Sequence, residues 1–218
     1  MSSSGLEVLG LTMAVLGWLF AAVSCALPMW RVSAFIGTTV ITAQMFWEGL
    51  WMECVFESTG QMVCKIHDSM LALNGDIQAA RALTILSIVM GLLGILVAIM
   101  GSNCTNCVEE ESAKVHMMRA AGVAFILASL AELIPVSWCA HGIVADFHNP
   151  AVIRGRKREI GAALYVGWAA AAFLLIGGNV LCCISSPRPE QSHRRPPNMM
   201  SSHARSNASS GYNRKDYV

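Results

Sequence analysis

The sequence predicts a helical membrane protein with four transmembrane spans, and its composition and charge spacing carry that prediction. Of the 218 residues, 55% are hydrophobic and only 13% are charged, a balance far more apolar than that of ordinary soluble domains. Four long stretches carry one charge or none, and each exceeds the roughly 20 residues that a helix needs to cross a bilayer. The predicted spans lie near 8–28, 81–101, 119–140 and 161–183.

The first span is interpreted as a retained helix and not as a cleaved secretory signal. Residues 1–7 contain no Lys or Arg, and the apolar run that follows is longer than the core of about 7–15 residues that a signal peptide has. We therefore expect one membrane domain, residues 1–184, followed by a flexible polar tail, residues 185–218.

The long segment between the first two spans has the composition of antiparallel strands. Residues 30–66 are rich in Val, Ile, Thr, Phe and Trp, which favour strands. Glycines interrupt this run at residues 37, 49 and 60. The sequence therefore predicts a small sheet above the membrane spans.

Two cysteines in this segment predict a disulfide and an orientation. Cys54 and Cys64 flank the turn-prone residues 58–61, a spacing that suits a hairpin whose strands bring the sulfurs together. Because disulfides persist in oxidising compartments, we expect the loops 29–80 and 141–160 to be extracellular and both termini to be cytoplasmic. Lys and Arg are almost evenly divided between the two sides, so they do not decide the orientation.

Further cysteines follow the second span and end the fourth, on the predicted cytoplasmic side. They are Cys104, Cys107, Cys182 and Cys183. Juxtamembrane cysteines are frequent acylation sites, so palmitoylation and unmodified thiols are both retained as interpretations. The first two form a CxxC pair without a second such pair or a paired His nearby, so we expect no metal site, no redox site and no cofactor.

One acid, Glu132, lies inside a predicted span. An intramembrane enzyme would need paired polar groups within the spans, and no second acid, His or Lys accompanies this glutamate in the other spans. We interpret Glu132 as a protonated or inward-facing residue that is hydrogen-bonded to a neighbouring helix, in preference to a proton relay. The chain is not expected to be an enzyme.

The first loop resembles the signature of the claudins, the strand-forming proteins of tight junctions. Trp30, then Gly49-Leu50-Trp51, then Cys54 and Cys64 carry the resemblance. Further matching segments are GWL, LPMWRVSAFIG, LAL, QAARAL with Arg81, CTNC, PVSW, NP, LYVGWAA and the terminal YV. The resemblance covers most of the chain and leaves the tail from Ser185 to Asn213 unmatched.

The resemblance implies both a fold and a function. The fold would be a left-handed bundle of four transmembrane helices with a small extracellular antiparallel sheet of five strands, built from the two extracellular loops. The function would be structural: polymerisation into strands between epithelial or endothelial cells, which sets the paracellular barrier and its ion selectivity. The implied location is the plasma membrane at the tight junction, and the implied partners are membrane lipids, further copies and other claudins in cis and trans, without nucleic acid.

A second hypothesis is an accessory subunit of an ion channel or receptor. Other four-span proteins share the Gly-Leu-Trp and two-cysteine loop, but the segments QAARAL, NP and YVGWAA favour the claudins. Within the signature, Trp30 is expected to be an interfacial anchor or a structural residue of the fold. Leu50 and Trp51 are expected to pack the sheet against the bundle.

The resemblance also implies residues that set ion selectivity. Between residues 32 and 80 the loop carries five acids and one formal cation, Lys65, a balance that by itself favours cation passage. Lys65 directly follows the second loop cysteine, a position that faces the conducting path in several claudins. We therefore expect a barrier with low cation permeability, in which Lys65 opposes cations and Glu53 and Asp68 partly offset it.

The resemblance assigns lateral assembly to an apolar knob and a pocket on the neighbouring molecule. The knob would be Met70 and the pocket would include Phe147 and Ile160, with His148 at a position that is usually aromatic. Ordinary amphipathic packing of Met70 and a solvated His148 stay open as alternatives. Recognition by the bacterial enterotoxin is doubtful, because Ala151 stands where toxin-binding members carry Leu.

The chain terminus is predicted to bind PDZ scaffolds of the junctional plaque. Tyr217 and Val218 end a tail rich in Ser, Pro and Arg, and a free carboxylate beside a small apolar side chain is what a PDZ groove captures. The glycosylation sequons at Asn103 and Asn207 fall on the predicted cytoplasmic side, so we expect neither to be used.

Overall fold

The structure is a computed structural model, and it describes residues 2–36, 43–57, 60–67, 75–101, 111–148 and 158–184. These residues form four long helices and one five-stranded sheet. The helices are α1 (Ser2–Ala26), α2 (Gly75–Gly101), α3 (Glu111–His148) and α4 (Ala162–Ile184). The strands are β1 (Arg31–Ile36), β2 (Ala43–Glu48), β3 (Met52–Phe56), β4 (Met62–Ile66) and β5 (Glu159–Ile160).

All four helices are long and apolar enough to cross a membrane, as the sequence predicts. Helix α3 extends beyond the predicted span near 119–140 and continues to His148, so the start of the predicted loop 141–160 is helical. Packing explains this continuation, because Ile143 is buried against the base of the sheet together with Trp30 and Leu50.

Small residues allow the helices to pack closely. The most extensive helix pairs are α1 with α4, α2 with α3, and α3 with α4. At Gly177 an added Cβ would lie 2.7 Å from the backbone nitrogen of Ala14 on α1, and at Gly178 it would lie 2.8 Å from the carbonyl oxygen of Gly122 on α3. Close approach of the backbones gives van der Waals contact between the helices. This contact matters in lipid, where the hydrophobic effect does not drive helices to associate.

The sheet is antiparallel and has the strand order β4-β3-β2-β1-β5. The two-residue strand β5 precedes α4 and pairs with the start of β1, where Arg31 lies opposite Ile160. The expectation of a five-stranded sheet completed by the second loop is thus confirmed. The sheet lies at the end of the bundle where α1 and α3 end and α2 and α4 begin.

Candidate functional site

The residues of the predicted signature meet where the sheet joins the bundle, and we call them the sheet–bundle junction. They are Trp30, Gly49, Leu50, Trp51 and Arg81. Four of them lie in the short connections that join α1 to β1 and β2 to β3, where backbone groups lack partners within their own element, and Arg81 lies in the second turn of α2.

Trp30 joins three elements through hydrogen bonds. Its indole Nε1 donates to the carbonyl oxygen of Ser24 at 2.8 Å, which is one of the last carbonyls of α1 and has no partner within the helix. Its backbone nitrogen donates to Glu48 at the end of β2, and its carbonyl accepts from Gly161 before α4. The side chain is only 3% exposed, which favours the structural role over that of an anchor lying in the lipid interface.

Gly49 and Leu50 close the turn between β2 and β3. A Cβ at Gly49 would overlap the backbone of Pro28, so no larger residue fits without movement of the chain. Leu50 is fully buried in the apolar cluster that contains Val136 and Ile143. The Gly-Leu pair therefore seats the sheet on the bundle.

Arg81 and Trp51 complete the junction from the start of α2. The guanidinium Nε of Arg81 donates a hydrogen bond to the carbonyl oxygen of Leu50, and its central carbon lies 5.1 Å from the centroid of the Trp51 ring. That separation suits a cation–π interaction. The indole Nε1 of Trp51 in turn donates to the Cys25 sulfur at 3.3 Å. A cation that is only 7% exposed is thus held between a carbonyl and an aromatic face.

Sequence reasoning did not single out Gly161, which is as constrained as Gly49. A Cβ at Gly161 would overlap the carbonyl oxygen of Met29. That same oxygen accepts a hydrogen bond from the backbone nitrogen of Ala163 at 3.1 Å, in the first turn of α4. The proximity of Met29, 132 positions earlier in the numbering, leaves no signal in the local sequence.

Glu48 is a second feature that the sequence did not reveal. Its carboxylate lies 3.8 Å from the Arg31 guanidinium and 3.3 Å from that of Arg158. The Glu48 side chain is mostly buried and the Arg31 side chain is almost fully so. This acid is therefore neutralised by two cations, and the count of loop acids overstates the negative charge available at the surface.

The predicted disulfide between Cys54 and Cys64 is present, and the two cysteines lie directly opposite each other in β3 and β4. In the next register position Glu53 lies opposite Lys65, so both side chains project from the same face. Glu53 also lies 3.6 Å from Nδ1 of His67. Asp68, the third predicted selectivity residue, lies outside the described residues.

The residues predicted for lateral assembly are only partly described. Phe147 is half exposed at the end of α3, and its ring centroid lies 5.9 Å from that of His148. His148 Nδ1 donates to the carbonyl of Val144 one turn earlier, at 2.9 Å. Ile160 packs partly against the core at the sheet end. The knob Met70 lies outside the described residues.

The two cysteines at the end of α4 differ in their surroundings. Cys182 is partly buried, and its sulfur lies 3.9 Å from the carbonyl oxygen of Arg119 on α3, whereas Cys183 is exposed. The remaining predicted site residues, Cys104, Cys107, Ala151, Tyr217 and Val218, lie outside the described part of the chain, as do the two sequons.

Comparisons with known proteins agree with this architecture. A family model described as "PMP-22/EMP/MP20/Claudin family" matches residues 4–181. The chain is 56% identical to Claudin-4 of Homo sapiens over 212 residues, which cover 97% of this chain and 100% of the relative. It is 55% identical to Claudin-3 of Mus musculus over 221 aligned positions, which cover 99% of this chain and 100% of the relative.

These matches extend through the spans, the sheet and the signature residues at their junction, well beyond the shared loop that left the accessory-subunit hypothesis open. Claudins are structural membrane proteins of tight junctions that interact with one another, and they are not enzymes. With the fold, the disulfide and the full-length similarity all in agreement, the chain belongs to the claudin family and is a structural protein of the tight junction.

Proposed function

We propose that this claudin forms a barrier of low cation permeability and that Lys65 is the residue that opposes cations. The observation that carries the proposal is the position of Lys65 on β4, the edge strand of the sheet, next to the disulfide. All five residues of that strand are exposed. A cation on an exposed edge acts on ions that pass within the screening length of about 8 Å.

The surrounding acids support the proposal because Glu48, one of the five acids counted in the loop, is paired with two cations. Glu48 lies against Arg31 and Arg158, and Glu53 lies across the strand pair from Lys65. The loop therefore presents less negative charge than its sequence count suggests. Glu53, with a side chain 58% exposed, partly offsets Lys65, and Asp68 is proposed to do the same.

Replacing Lys65 with Asp tests the proposal. In a monolayer that expresses this chain alone, Lys65→Asp should raise the sodium-to-chloride permeability ratio severalfold and lower the transepithelial resistance, because the sign of the edge charge is reversed. Dilution potentials measure the ratio. The matched control is Glu57→Gln, which changes an exposed charge just beyond β3 and should leave the ratio almost unchanged.

An unchanged ratio in Lys65→Asp, at equal surface expression, would mean that Lys65 does not face the path. A fall of the ratio in Glu57→Gln, opposite in sign to the rise in Lys65→Asp, would instead mean that net loop charge sets the selectivity. Either result would reject Lys65 as the selectivity residue.

The orientation and the cytoplasmic partners are also proposals. The disulfide-bearing sheet lies at the end of the bundle opposite the start of α1 and the end of α4. If this sheet is extracellular, both termini are cytoplasmic, and the sequons at Asn103 and Asn207 stay unglycosylated. Tyr217 and Val218 would then be available to PDZ scaffolds.

We also propose that the juxtamembrane cysteines are acylated and that this region contacts membrane lipids. Of the two cysteines at the end of α4, Cys183 is the better acceptor because it is exposed, whereas Cys182 is partly buried against α3. Acylation of Cys104 and Cys107 stays a prediction from the sequence.

A further inference from the structure

Helix α3 places an acid in the interior of the bundle. Glu132 is 0% exposed, and neither of its carboxyl oxygens accepts a hydrogen bond from the described residues. An ionised carboxylate without donors is among the costliest groups to bury. The groups that surround it therefore indicate which form of the acid the fold accommodates.

Residues from the three other helices meet at the level of this carboxyl. A Cβ added to Gly167 of α4 would lie 3.1 Å from Ser24 Oγ on α1 and 3.5 Å from Glu132 Oε1. Ser87 on α2 also neighbours the carboxyl. The missing side chain at Gly167 thus leaves room for the glutamate between α1, α3 and α4.

The hydroxyl groups beside Glu132 have already donated their protons. Ser24 Oγ donates to the carbonyl of Ala163 at 2.9 Å, and Ser87 Oγ donates to that of Ala128 at 2.8 Å. A hydroxyl has one proton but two acceptor lone pairs. Both serine oxygens can therefore accept a hydrogen bond, and neither can donate one to a carboxylate without breaking an existing bond.

The remaining polar groups at this level are also mainly acceptors. Pro135 lies inside α3 and has no N–H, so the carbonyl of Ala131 has no donor from that position. The sulfur of Cys25 on α1 accepts a hydrogen bond from Trp51, and its own S–H is only a weak donor. Thr84 on α2 has a buried hydroxyl without a partner. Its proton is an uncommitted donor on the same helix as Ser87.

We propose that Glu132 is a proton-binding site: at neutral pH it is a carboxylic acid that donates its proton to the hydroxyl oxygen of Ser24 or Ser87. Protonation removes the buried charge and supplies the donor that an acceptor-rich site lacks. The acid then links α3 to α1 or α2 inside the bundle. This role is independent of the barrier function, because the site lies within the spans and not on the sheet.

Infrared spectroscopy of the purified full-length chain in lipid nanodiscs tests the protonation state directly. At pH 8 the wild type should show the carbonyl band of a protonated carboxylic acid, and Glu132→Gln should lack it. Glu132→Met serves as the second variant, since an apolar residue of similar volume folds without the buried polar group. Absence of the band in the wild type would overturn the proposal, and so would its persistence in a variant that folds.

The pH dependence of unfolding gives a second readout. If the folded chain binds a proton at Glu132 that the unfolded chain releases, the free energy of unfolding of the wild type should fall as the pH rises from 6 toward 9. The two variants cannot bind this proton and should lack that component of the slope. Identical slopes in wild type and variants would contradict a bound proton, whichever band the spectra show.

Discussion

Two side chains at the sheet–bundle junction satisfy backbone groups that the end of a helix or strand leaves open. The Trp30 indole donates to the last turn of α1, and Arg81 donates to the carbonyl of Leu50 beyond β2. A buried carbonyl without a donor costs about 1–3 kcal/mol. The signature residues are therefore explained by the join between sheet and bundle, and none of them needs to contact an ion or a partner.

Gly161 gives a prediction at the residue scale. Gly161→Ala places a Cβ on the Met29 carbonyl oxygen and should displace either the start of α4 or the segment before β1. We expect a loss of stability of about 1–3 kcal/mol or more and a marked loss of surface expression, measured by surface biotinylation. The control is Gly142→Ala, where nothing lies within 4 Å of the new Cβ. Equal expression of the two variants would contradict the packing at Gly161.

At the scale of elements, β4 is an edge strand of the sheet that buries none of its residues. All residues of β4 are exposed, including Met62, Val63 and Ile66, so few packing contacts hold this edge strand in place. The disulfide between Cys54 and Cys64 compensates, because it restricts the unfolded chain. The strand that carries Lys65 therefore depends on a covalent link more than on a core.

Reduction of this disulfide gives the prediction for the hairpin. The two cysteines are separated by 10 positions, a ring for which the chain-entropy model gives roughly 3 kcal/mol. Reductant should lower the melting temperature of the purified wild type. The Cys54→Ser/Cys64→Ser variant should melt lower at the outset and show no further response. A response to reductant in that variant would mean that another thiol pair contributes.

At the scale of the whole molecule, the bundle holds the sheet and the end of α3 on one side, where neighbouring molecules can meet. Phe147 is half exposed at the end of α3, and Ile160 lies in β5, just before α4. For the proposed knob at Met70, Met70→Ala should shorten or fragment strands in freeze-fracture images of cells without their own tight junctions, while surface expression persists. Continuous strands would exclude the knob.

The tail carries the second prediction for the whole molecule. Removal of Tyr217 and Val218 should abolish binding of the cytoplasmic tail to junctional PDZ domains, because the groove captures the terminal carboxylate and its apolar side chain. Pull-down of scaffold proteins measures this binding, and the Ser210→Ala variant of the same tail is the control. Retained affinity after truncation would mean that the terminus is not the ligand.

Patterns that repeat within a few residues were sufficient to predict the spans, the strand-rich loop and the Cys54–Cys64 hairpin. The length of an apolar stretch predicts a membrane helix, and a turn midway between two cysteines predicts that they pair. Both features can therefore be read from the local sequence. The residues of the sheet–bundle junction were predicted only through the family resemblance. Their roles as hydrogen-bond donors to Ser24 and Leu50 became visible in the fold.

What the tertiary structure decided involves partners that are distant along the chain. Glu48 pairs with Arg158, Gly161 lies against Met29, and Glu132 shares its level with Ser24 and Gly167. The extension of α3 to His148 likewise depends on burial of Ile143 beneath the sheet. Burial and hydrogen bonding are properties of what surrounds a side chain, and in these cases the surroundings come from other helices and strands whose placement no local pattern specifies.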